Sequence, residues 1–165
     1  QWQRTLDPRS QVSAFTQLSR LHYAQDRARD ADRVVFGAGY ARAFNDAQVL
    51  YGSVYHAEEK PRRDGVENYG HRALGMRLGA ETALQDNVVA FAALQYERRR
   101  YGGTEPFFDA RRVDRQLDAS AGLHVMPSAQ WRLSPQVSFV RADSTVVLYD
   151  YRRVVWQFAV RREFN

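Results

Sequence analysis

Side chains alternate between apolar and polar at every second position along almost the whole chain. The clearest stretch is residues 112–125. Its odd positions are Val113, Arg115, Leu117, Ala119, Ala121, Leu123 and Val125, and its even positions are Arg112, Asp114, Gln116, Asp118, Ser120, Gly122 and His124. A period of two places these sets on opposite faces of a β-strand. Residues 130–139 repeat the pattern, with Trp131, Leu133, Pro135, Val137 and Phe139 facing away from Gln130, Arg132, Ser134, Gln136 and Ser138. Pro135 cannot donate to a ladder, so it predicts a bulge or a local break in pairing. In residues 71–83, Leu74, Met76, Leu78 and Ala80 oppose Gly75, Arg77, Gly79 and Glu81.

Extended over the chain, the pattern predicts strands over residues 1–6, 11–23, 33–44, 48–56, 71–83, 87–101, 111–125, 130–142 and 149–164. Short connections at 7–10, 45–47, 84–86 and 126–129 alternate with longer charged ones at 24–32, 57–70, 102–110 and 143–148. Strict alternation of short and long connections is what an up-and-down transmembrane β-barrel requires, with short turns on one rim and long loops on the other. The last strand supports the same fold: Val154, Trp156, Phe158, Val160 and Phe164 fall on a lipid face, and Gln157, Arg161 and Glu163 on a luminal one. Arg162 is the one charge out of phase, at a rim where an arginine can snorkel. Nine strands is an odd number, whereas single-chain bacterial barrels have an even one. The expectation is therefore the C-terminal portion of a larger barrel. An eight-stranded barrel starting near Arg9 is the alternative.

Composition fits this reading only once the fold is considered. Mean hydropathy of −0.58 with 26% charged residues would suggest a soluble protein. In a barrel, though, half of each strand and the outer loops are polar, so the average misleads. No run approaches the roughly 20 apolar residues of a membrane helix, which excludes a helical membrane protein. Cysteine is absent, in keeping with an oxidising envelope. The net charge of +5 comes almost entirely from arginine, Lys60 being the sole lysine. The arginine pairs are interleaved with carboxylates and lie at strand ends, so they read as rims and luminal ladders and not as a nucleic-acid surface.

The strongest candidate constellation is a luminal charge ladder of Glu97, Arg99, Arg112, Asp114 and Asp118. With the intervening loop centred near Thr104 and Glu105, Arg99 is expected opposite Arg112 and Glu97 opposite Asp114, with the diagonals doing the pairing. The ladder is either a charged channel wall or a salt-bridge network that fills the interior. His22, His56, His71 and His124 are scattered without metal-ligand spacing, so no metal site is expected. A hydrolase using His124 with a serine on a neighbouring strand has no support in the spacing. Gly37 and Gly39 read as small residues that relieve crowding in the wall. Tyr23, Tyr40, Phe44, Tyr55, Tyr69, Tyr96, Tyr101, Phe107, Phe108, Trp131, Tyr149 and Tyr151 lie toward strand ends. They are expected to form interfacial girdles rather than a carbohydrate-stacking platform.

Several blocks together resemble a known family. They are Tyr96-Glu97-Arg98-Arg99-Arg100-Tyr101-Gly102-Gly103, Pro106-Phe107-Phe108, Arg112-Val113-Asp114-Arg115-Gln116, Leu133-Ser134-Pro135-Gln136-Val137-Ser138-Phe139, Asp143-Ser144, Leu148-Tyr149-Asp150-Tyr151-Arg152-Arg153 and Arg161-Arg162-Glu163-Phe164. With Asn68-Tyr69-Gly70-His71 and Leu74-Gly75-Met76-Arg77-Leu78-Gly79, they resemble the C-terminal outer-membrane β-barrel of the surface lipoprotein assembly modifiers. The resemblance implies a Gram-negative outer-membrane protein that helps move lipoproteins to the cell surface. It also implies a periplasmic tetratricopeptide-repeat domain ahead of a barrel of roughly fourteen strands, within the range of such barrels.

No helical repeat is visible in the sequence. Residues 1–165 are therefore read as the C-terminal barrel region, without the repeat domain and the first strands. The expected partners are surface lipoprotein clients, the barrel-assembly machinery and outer-membrane lipid, with no nucleic acid, no cofactor and no catalysis. The loops 57–70 and 102–110 are the expected client contacts. Gln157, Ala159, Arg162 and Phe164 stand at the assembly-signal positions of the closing strand. Ala159 replaces a common glycine, Arg162 replaces an aromatic, and Asn165 follows the terminal Phe. A passive porin with an arginine-lined lumen is the alternative function.

Overall fold

A computed structural model describes residues 1–163. Nine strands form one antiparallel sheet in chain order: β1 (Trp2–Asp7), β2 (Ser10–Leu21), β3 (Ala31–Asn45), β4 (Gln48–Pro61), β5 (His71–Gln85), β6 (Val88–Glu105), β7 (Ala110–Ser128), β8 (Trp131–Ser144) and β9 (Tyr151–Arg162). Every predicted strand is present, including the short first one on whose absence the eight-stranded alternative depended. No helix is long and apolar enough to cross a membrane among the described residues. The long connections hold single 3-10 turns at Arg27–Arg29, Glu67–Tyr69 and Val147–Tyr149. Two of the four long connections are shorter than expected, because β4 continues to Pro61 and β6 to Glu105.

The tight turns have a local cause. Asp7 and Asn45 each accept a backbone N–H two residues on, from Arg9 at 2.8 Å and Ala47 at 2.9 Å. This is the Asx geometry that short polar side chains favour. At Pro135 the ladder is interrupted without a shift of register. Gly122 pairs with Gln136 and Val125 with Leu133, and between these pairs His124 and Ser134 meet at 2.9 Å through their side chains.

Burial separates the two faces. The residues at alternate positions that include Val35, Ala57, Ala73, Glu97 and Asp114 are buried, although no second layer covers them. Such burial in a single sheet requires that it curl toward this side, which we call concave. The convex side carries Leu18, Phe36, Val54, Leu74, Met76, Leu78, Phe158 and Trp156, the last 80% exposed.

The concave side is packed by alternating large and absent side chains. One cross-strand row runs Phe15, Gly37, Tyr55, Gly75, Glu97, Gln116, Ala142 and Tyr151. Phe15 lies over Gly37, Tyr55 over Gly75, Tyr51 over Gly79 and Phe91 over Gly122. A Cβ at any of these glycines would collide with the facing ring. Each ring sits directly opposite its glycine, so these pairs hold the register as well as filling the interior. Gly75 and Gly79 share the inward face with Arg77, and Gly37 and Gly39, expected as small residues that relieve crowding in the wall, stand on the same face.

The register between β6 and β7 differs from the expected one. Arg100 faces Val113 but Thr104 faces Arg111, so Tyr101, Gly102 and Gly103 stand against Arg112 alone. The loop turns at Phe107 and Phe108, later than expected, and the bulge shifts the ladder back by two residues from the loop-end register, placing Arg99 opposite Asp114 and Glu97 opposite Gln116. It is anchored from outside: Gly102 N–H donates to the Gly70 carbonyl at 3.0 Å, and a Cβ on Gly103 would stand 2.6 Å from the Asn68 nitrogen.

Gly79→Ala is expected to destabilise the sheet by about 1–3 kcal/mol, the usual range for overpacking. Tyr51→Leu in the same chain should recover part of that loss, as coupled neighbours do. Denaturant unfolding in detergent micelles measures both; strictly additive effects would contradict the packing described.

Candidate functional site

The absence of a side chain at Gly75 shapes the charged part of the concave wall. Tyr55 lies flat across this gap, and its hydroxyl reaches past β5 to donate to the Glu97 carboxylate on β6. Arg99, two residues along the same strand face, donates its Nε–H to the other oxygen of Glu97. Glu97 is only 5% exposed, so its charge depends on these two partners.

A second unit stands beside it on β7. Arg112 holds Asp114 with Nε at 2.9 Å and 3.0 Å from the two carboxylate oxygens and a terminal nitrogen at 2.6 Å. Its guanidinium is stacked 3.3 Å from the centre of the Tyr149 ring and 4.3 Å from that of Tyr101. Tyr149, in the last 3-10 turn, donates its hydroxyl to Glu105 at 3.2 Å. Arginine suits such a place because its flat, delocalised cation can bond at its edge and stack on both faces. Further down β7, Gln116 donates to both oxygens of Asp118 at 3.0 Å.

The five predicted ladder residues therefore all lie on the concave face, four of them close beneath the long loops. Their ion pairs are not the expected diagonals. Glu97 with Arg99 and Arg112 with Asp114 are pairs two apart on one strand, and with the loop centred at Phe107 and Phe108 instead of Thr104 and Glu105, Arg99 stands opposite Asp114 in place of the expected like-charge opposition. The Glu-x-Arg, Arg-x-Asp and Gln-x-Asp spacings were legible signals for this arrangement. Tyr55, Tyr101 and Tyr149 were not legible as partners. Tyr55, Tyr101 and Tyr151 stand on concave rows and leave the expected girdle, and Phe107 projects from a loop tip. Tyr40, Phe44, Tyr96 and Trp131 lie on the convex face as expected.

On β9, Gln157 and Ala159 face the interior opposite Gln136 and Ser134. Arg162 faces outward opposite Trp131, its guanidinium 5.2 Å from that ring's centre. Phe164 lies outside the described residues. His124 does meet a serine on the adjacent strand, but its ring is stacked on Phe91 at 4.6 Å, and among the described residues no carboxylate bonds to it. The pair bridges the ladder gap at Pro135.

The family model for surface lipoprotein assembly modifiers matches residues 1–164. The chain belongs to this family. No curated protein and no solved structure matches it significantly. The family's name ties the chain to the assembly of surface lipoproteins, and the charged wall and its stacked tyrosines are the built feature of this member.

Arg112→Lys keeps the charge but loses the bidentate bond and the stacking, and should cost about 1–3 kcal/mol. Limited proteolysis should then cut faster at residues 145–150, where Tyr149 is released; an unchanged cleavage rate would refute the clamp.

A second loop contact titrates. Asp30 accepts the Tyr23 N–H at 2.8 Å, which holds its carboxyl below the ordinary value of 3.8, with His22 adding at 3.1 Å. A depressed folded-state value means that the contribution is fully present above 3.8 and is lost as pH falls through the folded value. The protection of the Tyr23 amide, measured as its exchange rate relative to an unstructured amide at the same pH, is expected to hold at neutral pH and to be lost in that acid window, and Asp30→Ala should abolish it at every pH.

Proposed function

We propose that the chain forms part of the wall of a bacterial outer-membrane β-barrel that assists the translocation or assembly of lipoproteins at the cell surface, without catalysing a reaction. The observation that carries this reading is the convex band of exposed Leu18, Phe36, Val54, Leu74, Leu78, Trp156 and Phe158. A contiguous apolar surface of this kind is unfavourable in water and is matched by lipid hydrocarbon. Strands β2 to β8 are paired on both sides, as that medium requires, and the outer edges of β1 and β9 call for neighbouring strands.

In this reading the short turns face the periplasm and the 3-10 turns face outside. Clients meet the wall of Glu97, Arg99, Arg112 and Asp114 and the loops at 62–70 and 106–109. Strand β9, with Gln157, Ala159, Arg162 and Phe164, is the segment offered to the barrel-assembly machinery, since a strand edge is a template for pairing. Arg99 and Arg112 are each held by a carboxylate, whereas Arg33, Arg77, Arg132 and Arg153 on the same face have no ion-pair partner among the described residues, so conductance separates translocation from a passive anion channel.

The protein is expected in the sedimented outer-membrane fraction, with a heat-dependent shift in gel mobility and no steady conductance in planar bilayers. Recovery as a soluble protein without the shift would end the barrel reading. A steady anion-selective pore without any client would replace translocation with the porin.

A further inference from the structure

Above the apolar band, toward the long loops, the convex face changes character. Three arginine pairs stand directly opposite one another on it: Arg72 with Arg100, Arg98 with Arg115, and Arg141 with Arg152. Like charges in directly opposed positions repel and destabilise a sheet. Three of them on one side of one rim is therefore an arrangement that the isolated chain has no reason to keep. Few carboxylates answer them. Glu58 pairs with Arg72 at 3.2 Å and Lys60 at 3.6 Å, and Asp143 with Arg141 at 2.9 Å. Among the described residues, Arg98, Arg100, Arg111, Arg115 and Arg152 have no ion-pair partner.

A second observation points into the same place. A groove of about 720 Å³ across β4, β5 and β6 is lined by Arg72, Arg98, Arg100 and Arg111 together with Glu58 and Glu67, the arginines outnumbering the carboxylates. The Nε of Arg98 is buried there and has no hydrogen-bond partner. A buried N–H without an acceptor costs stability that an incoming oxyanion would recover. Guanidinium groups match phosphate in shape and bond it in pairs. Directly below, Leu74, Met76, Leu78, Leu117, Phe139 and Trp156 supply an apolar floor on the same face. Phosphate above and hydrocarbon below is the chemistry of a phosphorylated lipid standing in a leaflet.

We propose that the arginine band on the convex face of β5 to β9 binds the phosphate groups of anionic lipid in the leaflet beside the long loops, with acyl chains along the apolar residues beneath. The paired arginines then share phosphates and the repulsion becomes attraction. This rests on the membrane-wall reading above and adds to it a specific lipid partner.

Fluorescent phosphorylated lipid A, titrated onto the full chain in neutral micelles, tests it against the dephosphorylated form. The parent is expected to bind the phosphorylated form more tightly by about tenfold or more, and R98Q/R100Q/R115Q to lose that preference. R4Q/R42Q, at the opposite rim, should retain it. In lipid-free micelles the triple variant should unfold no more easily than the parent, because three repelling charges are gone. Equal binding of the two lipid forms by the parent, or an unchanged preference in the triple variant, overturns the proposal. So does displacement of the lipid by millimolar inorganic phosphate, which would make the band a site for free anions. If every variant still inserts into vesicles and shows the heat shift, only the lipid inference falls; if the parent itself does not insert, the membrane reading falls first.

Discussion

Aromatic rings laid over glycines on the facing strand decide most of what this sheet can do. A curled single sheet has too little room inside for a bulky residue at every inward position, yet a row of small ones would leave voids. Phe15, Tyr51, Tyr55 and Phe91 resolve this by each filling the space above a glycine directly opposite. The match is specific to one register. A slip by one residue would turn every inward side chain outward and move Glu97 and Asp114 to the convex surface.

The polar chemistry follows from that packing. Tyr55 reaches Glu97 because nothing stands on β5 between them, so one glycine serves both the hydrophobic fit and the hydrogen bond. Glu97 and Asp114 are each held inside the curl by an arginine on its own strand. On the other face the same strands alternate to leucine, valine and tryptophan. One alternation thus separates a charged interior from an apolar exterior, and the arginine band interrupts it only near the rim.

The fold was legible because a period of two is nearly all that an antiparallel sheet asks of a sequence. The nine strands, the order of short and long connections, and the two faces of β5, β7 and β8 follow from it. What was not legible depends on contacts between strands. The spacing around Thr104 and Glu105 suggested one hairpin centre, but the loop turns at Phe107 and Phe108, and a bulge at Gly102 and Gly103, close against Asn68, shifts the register by two on the way down. The ladder residues could be named, but not their partners. A tyrosine near a strand end reads as a girdle residue whether it points out, as Tyr96 does, or in, as Tyr55 and Tyr101 do. Pro135 announced an interruption, and the bridge between His124 and Ser134 across it was beyond reach of the pattern.

The bulge at Tyr101, Gly102 and Gly103 joins more than two strands. It leans on Gly70 and Asn68 behind it, and Tyr101, at its start, stacks on Arg112, which also carries Tyr149. Tyr149 in turn is tied to Glu105, at the far end of the bulged segment. Three separate long connections, at 62–70, 106–109 and 145–150, thus share one hub. A molecule that pulls on any one of these loops pulls on the same arginine, so they respond as a single surface.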